Sequence, residues 1–283
     1  MKLTRDTAEV FVPDGTENGE ALLRTTDLAV VAHPDDIEVM APEGVLAGFG
    51  SDERWFTGVV MTDGKGAPRD GPYRDHSDED LRRVRRQEQK KAAVVGEYGA
   101  VVLLDHPSAV VRDAADPGPV ADLVAVLQAT RPQVVYTHNL ADRHDTHVAV
   151  AVRLLTALRS LPAEERPGRV LGCEAWRDLD WLPNADRVAM DVSTHESLQT
   201  TLLRVFDSQI RSGKRYDLAT LGRRRAHATF ADPNAADQAS ALAYAMDLTP
   251  LVVDPRRDVA SFVQEQIDRF AMDVAERLQR MGT

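Results

Sequence analysis

Cysteine is nearly absent: Cys173 is the single thiol in 283 residues. One thiol closes no intramolecular disulfide and builds no cysteine-based zinc finger. Long apolar runs are missing too. None reaches 18 residues, so no transmembrane helix is expected. The stretch MKLTRDTAEVFVPDG is interrupted by charges and lacks the apolar core of a signal peptide. A soluble, cytoplasmic protein is therefore expected. There is no excess of basic residues: 34 Lys and Arg stand against 45 Asp and Glu, a net charge of −11. That balance argues against a non-specific nucleic-acid binder and against docking on an anionic membrane. No GxGxxG or GxxxxGKS/T follows a strand-like run, so dinucleotide and P-loop readings are weak. Internal repeats and low-complexity tracts are lacking as well.

What is present is an ordinary globular composition, 43% hydrophobic, long enough for a sizeable core. Short β-branched runs alternate with helical stretches. DLAVVA (27–32), WFTGVVM (55–61), AVVLL (100–104), QVVYTH (133–138) and RVLGCEA (169–175) read as strands. Their lack of polar alternation indicates burial on both faces, as in a parallel sheet. Helices are expected from Ser77, with Asp80 completing a capping box, to Gly96; over Pro119–Thr130; and from near Asp145 onward. Strand alternating with helix is the pattern of an α/β fold. After residue 176 the pattern loosens. Ser193 and Glu196 suggest a second capping box, 211–257 reads as irregular and rich in Arg, Asp, Ala and Pro, and 259–281 carries apolar residues at steps of 3 or 4, read as one buried stripe. One domain is expected, with 1–175 as the sheet core and 176–283 as an extension over one edge or mouth.

Two motifs carry chemistry. Ala32-His33-Pro34-Asp35-Asp36 ends the first confident strand, where sites form in open α/β sheets. His144-Asp145-Thr146-His147 follows the QVVYTH strand, near a helix start. His33, Asp36 and His147 would give a divalent cation two imidazoles and a carboxylate and leave a position open for water, the pattern of a catalytic zinc site. Alone, HPDD also reads as a polar turn with a helix cap, and HxxH as an exposed pair.

Together these residues resemble the PIG-L/LmbE-like zinc-dependent N-acetylglucosamine deacetylases. Further matching segments are TDGKG (62–66), Arg85-Arg86-Gln87-Glu88 and LLDHP (103–107), and the resemblance spans about residues 27–155. It implies a Rossmann-like α/β fold, a mostly parallel sheet flanked by helices with a C-terminal extension covering the site. It implies metal ligands His33, Asp36 and His147, a general base Asp35, and an oxyanion-stabilising, protonated His144. The cofactor would be Zn2+, with another divalent metal such as Fe2+ as the alternative. The distal motif departs from the commoner His-Pro-Asp-His form, so a carboxylate supporting His144 has to come from Asp142 or Asp145. The resemblance also turns Arg85 toward a sugar hydroxyl; the residues alone allow an Arg85–Glu88 surface pair.

Trp176 and Trp181, bracketing Arg177 to Asp180, suit carbohydrate stacking or a core. Trp176 and Arg177 are the candidate substrate contacts. Lys214, Arg215, Arg223, Arg224 and Arg225 stand out in an acidic chain, as an anion site, a subunit bridge or a solvated face; homo-oligomerisation stays open. The expected partner is a small amino-sugar conjugate, with no nucleic acid and no membrane insertion. The expected reaction is hydrolysis of an N-acetyl group. The rivals are a non-catalytic sugar- or nucleotide-binding module and a two-His, one-carboxylate iron oxygenase.

Overall fold

A computed structural model describes residues 1–282. A three-residue strand, β1 (Glu9–Phe11), and a short helix, α1 (Asn18–Leu23), lead into the first central strand, β2 (Asp27–Val31). Helices α2 (Asp36–Met40) and α3 (Pro42–Gly48) follow, then β3 (Phe56–Thr62), α4 (Asp78–Val95) and β4 (Ala100–His106). Helices α5 (Ser108–Arg112) and α6 (Gly118–Thr130) return the chain to β5 (Val134–His138), and α7 (Asp145–Ser160) leads to β6 (Arg169–Cys173). The remainder holds β7 (Arg187–Asp191), α8 (Glu196–Arg204), α9 (Asp207–Ile210), α10 (Tyr216–Thr229), β8 (Leu242–Asp247), α11 (Thr249–Val253) and α12 (Val259–Arg280).

The five runs expected as strands are β2 to β6. They form the parallel centre of an eight-stranded sheet ordered β1-β4-β3-β2-β5-β6-β8-β7, whose outer strands β1, β8 and β7 join through antiparallel pairings. Strands β2, β3 and β4 are fully buried, as both-face burial requires. Leu28 and Val30 enter one core, shared with α6 and α7; Ala29 and Val31 enter the other, shared with α2, α3 and α4. Gly58 lets α2 lie close on the sheet, because a Cβ there would sit 2.5 Å from Ile37 Cδ1.

The chain leaves β2 toward β3 on one side, while β5, on the other side of β2, continues to β6. This reversal between β2 and β5 opens a crevice at their carboxyl ends, where open α/β sheets bind ligands. His33 follows β2 and His144 follows β5, so topology brings the two motifs to one place.

The helices expected at Ser77, Pro119 and Asp145 form. Ser77 Oγ accepts from the Asp80 amide, and Asp80 Oδ2 accepts from the Ser77 amide. Three expectations for the extension fail. The stretch 211–257 is not irregular: it contains α10, β8 and α11, and β8 pairs with both β6 and β7, so the extension continues the sheet. The second capping box does not form. Helix α8 starts after His195, at φ 53°, while Ser193 Oγ donates to Asp191 instead. The stripe on α12 is not buried along its length. Phe262 is buried, but Ile267, Phe270, Val274 and Leu278 are exposed. No helix among the described residues is long and apolar enough to cross a membrane.

A candidate metal centre in a cationic cavity

His33 is the second residue beyond β2, and its backbone N–H donates to Asp36 Oδ2 at 2.7 Å. That bond closes the turn and aims the Asp36 carboxylate back at the His33 ring, 3.1 Å from Nδ1. His147 arrives in the first turn of α7, where Val150, Ala151 and Leu154 are buried with it. Its Nε2 lies 3.2 Å from His33 Nδ1 and 3.4 Å from Asp36 Oδ2. Three lone-pair donors thus form a nearly equilateral triangle. Ligand atoms at zinc distances in tetrahedral array stand about 3.4 Å apart, so the donor set fits a divalent ion of that size.

The electrostatics fit as well. Burial opposes ionisation of Asp36, yet His147 and His33 beside it hold its carboxyl well below the usual range. Burial also opposes charge on His147, but Asp36 and Asp142 on either side raise it to about 9. His33 is pulled down by burial, so it supplies a neutral ring with a lone pair.

A fourth nearby ring, His138, is excluded as an open donor. The Ala32 N–H donates to its Nε2 at 2.9 Å, and its Nδ1 is buried without a partner. It stacks on His147 with centroids 3.8 Å apart and backs that ring. Asp142 flanks the same ring, with Oδ1 3.4 Å from His147 Nδ1. Carboxylates in this position fix ring orientation in metal-binding histidines. Asp142 Oδ1 accepts from the His144 amide, and Oδ2 accepts from the amides of Trp176 and Arg177. The supporting carboxylate sought from Asp142 or Asp145 therefore serves His147, not the His144 ring.

His144 caps α7: its Nδ1 accepts from the Thr146 amide at 3.3 Å, which leaves Nε2 to carry the proton of the neutral ring. Burial and the neighbouring His147 and His33 lower its pKa. Through Nδ1 the ring accepts from the backbone, and Nε2 is the nitrogen left to donate.

Asp35 stands apart from the triangle. It occupies the left-handed region at φ 95°, ψ −26°, which costs about 1–2 kcal/mol for a residue with a Cβ. Helix α4 supports it: Gln89 Oε1 accepts its amide, and Arg85 Nη2 donates to Oδ1 at 3.1 Å. Arg85 also donates to Pro34 O and to Gly64 O, at a glycine turn with φ 66°. Only 3% of Arg85 is exposed. Its donors clamp the turn around the site and hold Asp35, and Glu88 faces elsewhere, toward Ser208. Burial raises Asp35 to about 7, against the pull of Arg85.

These groups form one end of a cavity of about 560 Å³. Trp176 and Lys214 line it, as do Tyr216, Arg112 and Arg223. Trp181 does not; it packs on Phe270 of α12. Arg177 turns away, its Nε donating to Ala141 O at 2.5 Å. Tyr216 and Arg112 carried no signal in the sequence, being a lone tyrosine and a lone arginine at loop and helix ends. His106 and His227 are each paired with a buried carboxylate, Asp122 at 2.8 Å and Glu174 at 2.9 Å.

Solved structures share this fold. Conserved protein TT1542 from Thermus thermophilus aligns with a TM-score of 0.60 at 18% identity, over 83% of this chain and 100% of that one. GalB, the 4-carboxy-2-hydroxymuconate hydratase from Pseudomonas putida, aligns at 0.58 and 16% identity, over 83% and 98%. The N,N'-diacetylchitobiose deacetylase from Pyrococcus horikoshii aligns at 0.56 and 15% identity, over 78% and 83%. At such identities the likeness carries the fold and not the reaction. No curated protein matches the chain by sequence. The family model for PIG-L, GlcNAc-PI de-N-acetylase, matches residues 28–158. That match runs from the strand before His33 into the helix that holds His147, and the chain carries a PIG-L family domain across those residues.

Proposed function

We propose that the protein is a zinc-dependent hydrolase that removes the N-acetyl group from an amino sugar or an N-acetylglucosamine conjugate. The observation that carries this reading is the triangle of His33 Nδ1, Asp36 Oδ2 and His147 Nε2, with Asp35 facing the same cavity outside it. Those three residues would hold the ion. When bound, it polarises the acyl carbonyl and makes water nucleophilic near neutral pH.

The remaining steps belong to the chain itself. Arg85 engages Asp35 Oδ1, so Oδ2 is the atom that takes a proton from the attacking water. Asp35 suits this role because burial holds its affinity for a proton near neutrality. His144 has one ring N–H, on Nε2, and donates it to the carbonyl oxygen as negative charge develops. With that donor committed, the proton for the departing amine returns from Asp35. Trp176 offers a flat aromatic face to a sugar ring.

The test is amine release from N-acetylglucosamine glycosides by the purified protein, before and after dialysis against a chelator and after refilling with Zn2+. Release should vanish with the metal and return with it. Metal-replete protein that frees no amine from any such glycoside, or release that persists with metal analytically absent, would overturn the reading. Turnover that needs oxygen and a 2-oxoacid would point to the iron oxygenase. Such sites usually sit in a β-barrel, whereas this sheet is open at both edges.

A further inference from the structure

The cavity has a second chemical character besides its metal ligands. Arg112 at the end of α5, Lys214 before α10 and Arg223 within α10 all line it. Other basic residues of the same stretch are engaged. Arg215 pairs with Asp217 and Arg225 with Glu196. Arg224 is buried and donates to Gln199 Oε1 and to the carbonyls of Glu38 and Val39. By contrast, Arg223 donates to Ala175 O at 2.6 Å, and Lys214 Nζ rests 5.2 Å from the centre of the Trp176 ring. Among the described residues, Arg112, Lys214 and Arg223 form no ion pair with a carboxylate, and the two acids lining the cavity, Asp35 and Asp36, are held by Arg85 and the histidines. In a chain of net charge −11, one cavity is thus lined by three cations without a carboxylate partner.

We propose that the amino-sugar conjugate carries an anionic substituent, a phosphate or a carboxylate, which Arg112, Lys214 and Arg223 bind. This rests on the deacetylase reading for the rest of the substrate. Trp176 neighbours both chemistries. Its ring centroid is 6.5 Å from that of His144, and Lys214 Nζ lies over the indole 5.2 Å from its centre. A sugar in contact with the indole is therefore within reach of both His144 and Lys214. Guanidinium and ammonium groups give phosphate and carboxylate charge-assisted hydrogen bonds, about twice as strong as neutral ones.

The test is calorimetric binding of three glycosides to Asp35→Asn protein, in which turnover is slowed. The probes are the neutral methyl glycoside of N-acetylglucosamine, N-acetylglucosamine 1-phosphate and the carboxymethyl glycoside. At least one anionic probe should bind about tenfold or more tightly than the methyl glycoside, an advantage that shrinks with added salt. Adding Arg112→Gln and Lys214→Gln should erase the advantage, and Arg112→Lys with Lys214→Arg should keep it. The tighter of the two anionic probes names phosphate or carboxylate. Equal affinity for neutral and anionic probes, no binding of either anionic probe, or an advantage that survives loss of both cations overturns the proposal. Amine release by the unmutated protein separates the two readings. Anionic probes that bind as expected but free no amine would remove the deacetylase and leave the anion site. A methyl glycoside bound and cleaved as well as the anionic ones would do the reverse.

Discussion

Asp35 and Asp36 are the same chemical group in one turn, and backbone conformation separates their roles. Asp36 opens α2 and closes the His33 turn, so its oxygen faces the histidines; Asp35, left-handed, faces Arg85 and the cavity. Asp36→Ala should therefore empty the site of metal. Asp35→Asn should keep the metal and lower kcat by about 10²–10⁴-fold, the usual share of general-base catalysis. Metal analysis with turnover on the two purified variants checks both, and the assignment is reversed if the Asn variant loses metal or turns over normally. The two motifs that the structure brings together are legible in the sequence because one ends a β-branched run and the other follows one by six residues. The direction of Arg85 is not. Its helical spacing is the same whether it reaches a sugar or three groups of its own chain. Nor does sequence tell which histidine Asp142 serves, since that depends on how the loop after β5 folds back.

At the scale of elements, α10 explains why the extension reads poorly. Its buried positions include Asp217, Thr220, Arg224 and His227, which recur with helical period but are polar. An apolar-periodicity search finds nothing there. The short strands β7 and β8 at that end of the sheet hide in the same way, five and six residues among polar neighbours. Asp217 lies in the first turn of α10. The Arg215 hydrogen bond, outweighing burial, and then Arg204 hold its carboxyl down at about 2, against an ordinary 3.8. A depressed folded-state value gives stability that is complete above about pH 4 and lost as pH falls toward 2. Denaturant melts between pH 2 and 6 should thus show a steeper acid decline in the natural protein than in Asp217→Asn. Parallel curves would show that the pair contributes nothing.

Across the whole molecule, core and extension are fastened at a buried point. Glu88 of α4 accepts both the Ser208 amide at 2.7 Å and its hydroxyl at 2.6 Å, and Gln209, the next residue, lines the cavity. Glu88→Ala would strand both Ser208 donors, at about 1–3 kcal/mol for each buried group left unsatisfied. Urea unfolding should register that loss. KM should rise more than kcat falls, because the wall moves and the metal ligands do not. Unchanged stability and KM would mean that the fastening is dispensable. The sequence divides the chain near residue 176, but the sheet does not stop there, because β8 pairs with β6. Antiparallel edge strands supplied from a distance leave no local mark. The stripe on α12 is the converse case: periodicity reveals which side of a helix is apolar, and only the tertiary structure says whether anything covers it.

The left-handed backbone at Asp35 has a genetic consequence. Few residue types tolerate that conformation; glycine does so freely, and asparagine joins aspartate among the short polar exceptions. Both are one nucleotide substitution away from either aspartate codon, and both lack an ionisable carboxyl. The replacements that best preserve this turn are therefore ones that remove its carboxyl. On the function proposed above, single substitutions at this codon that spare the fold would be the ones that remove the base.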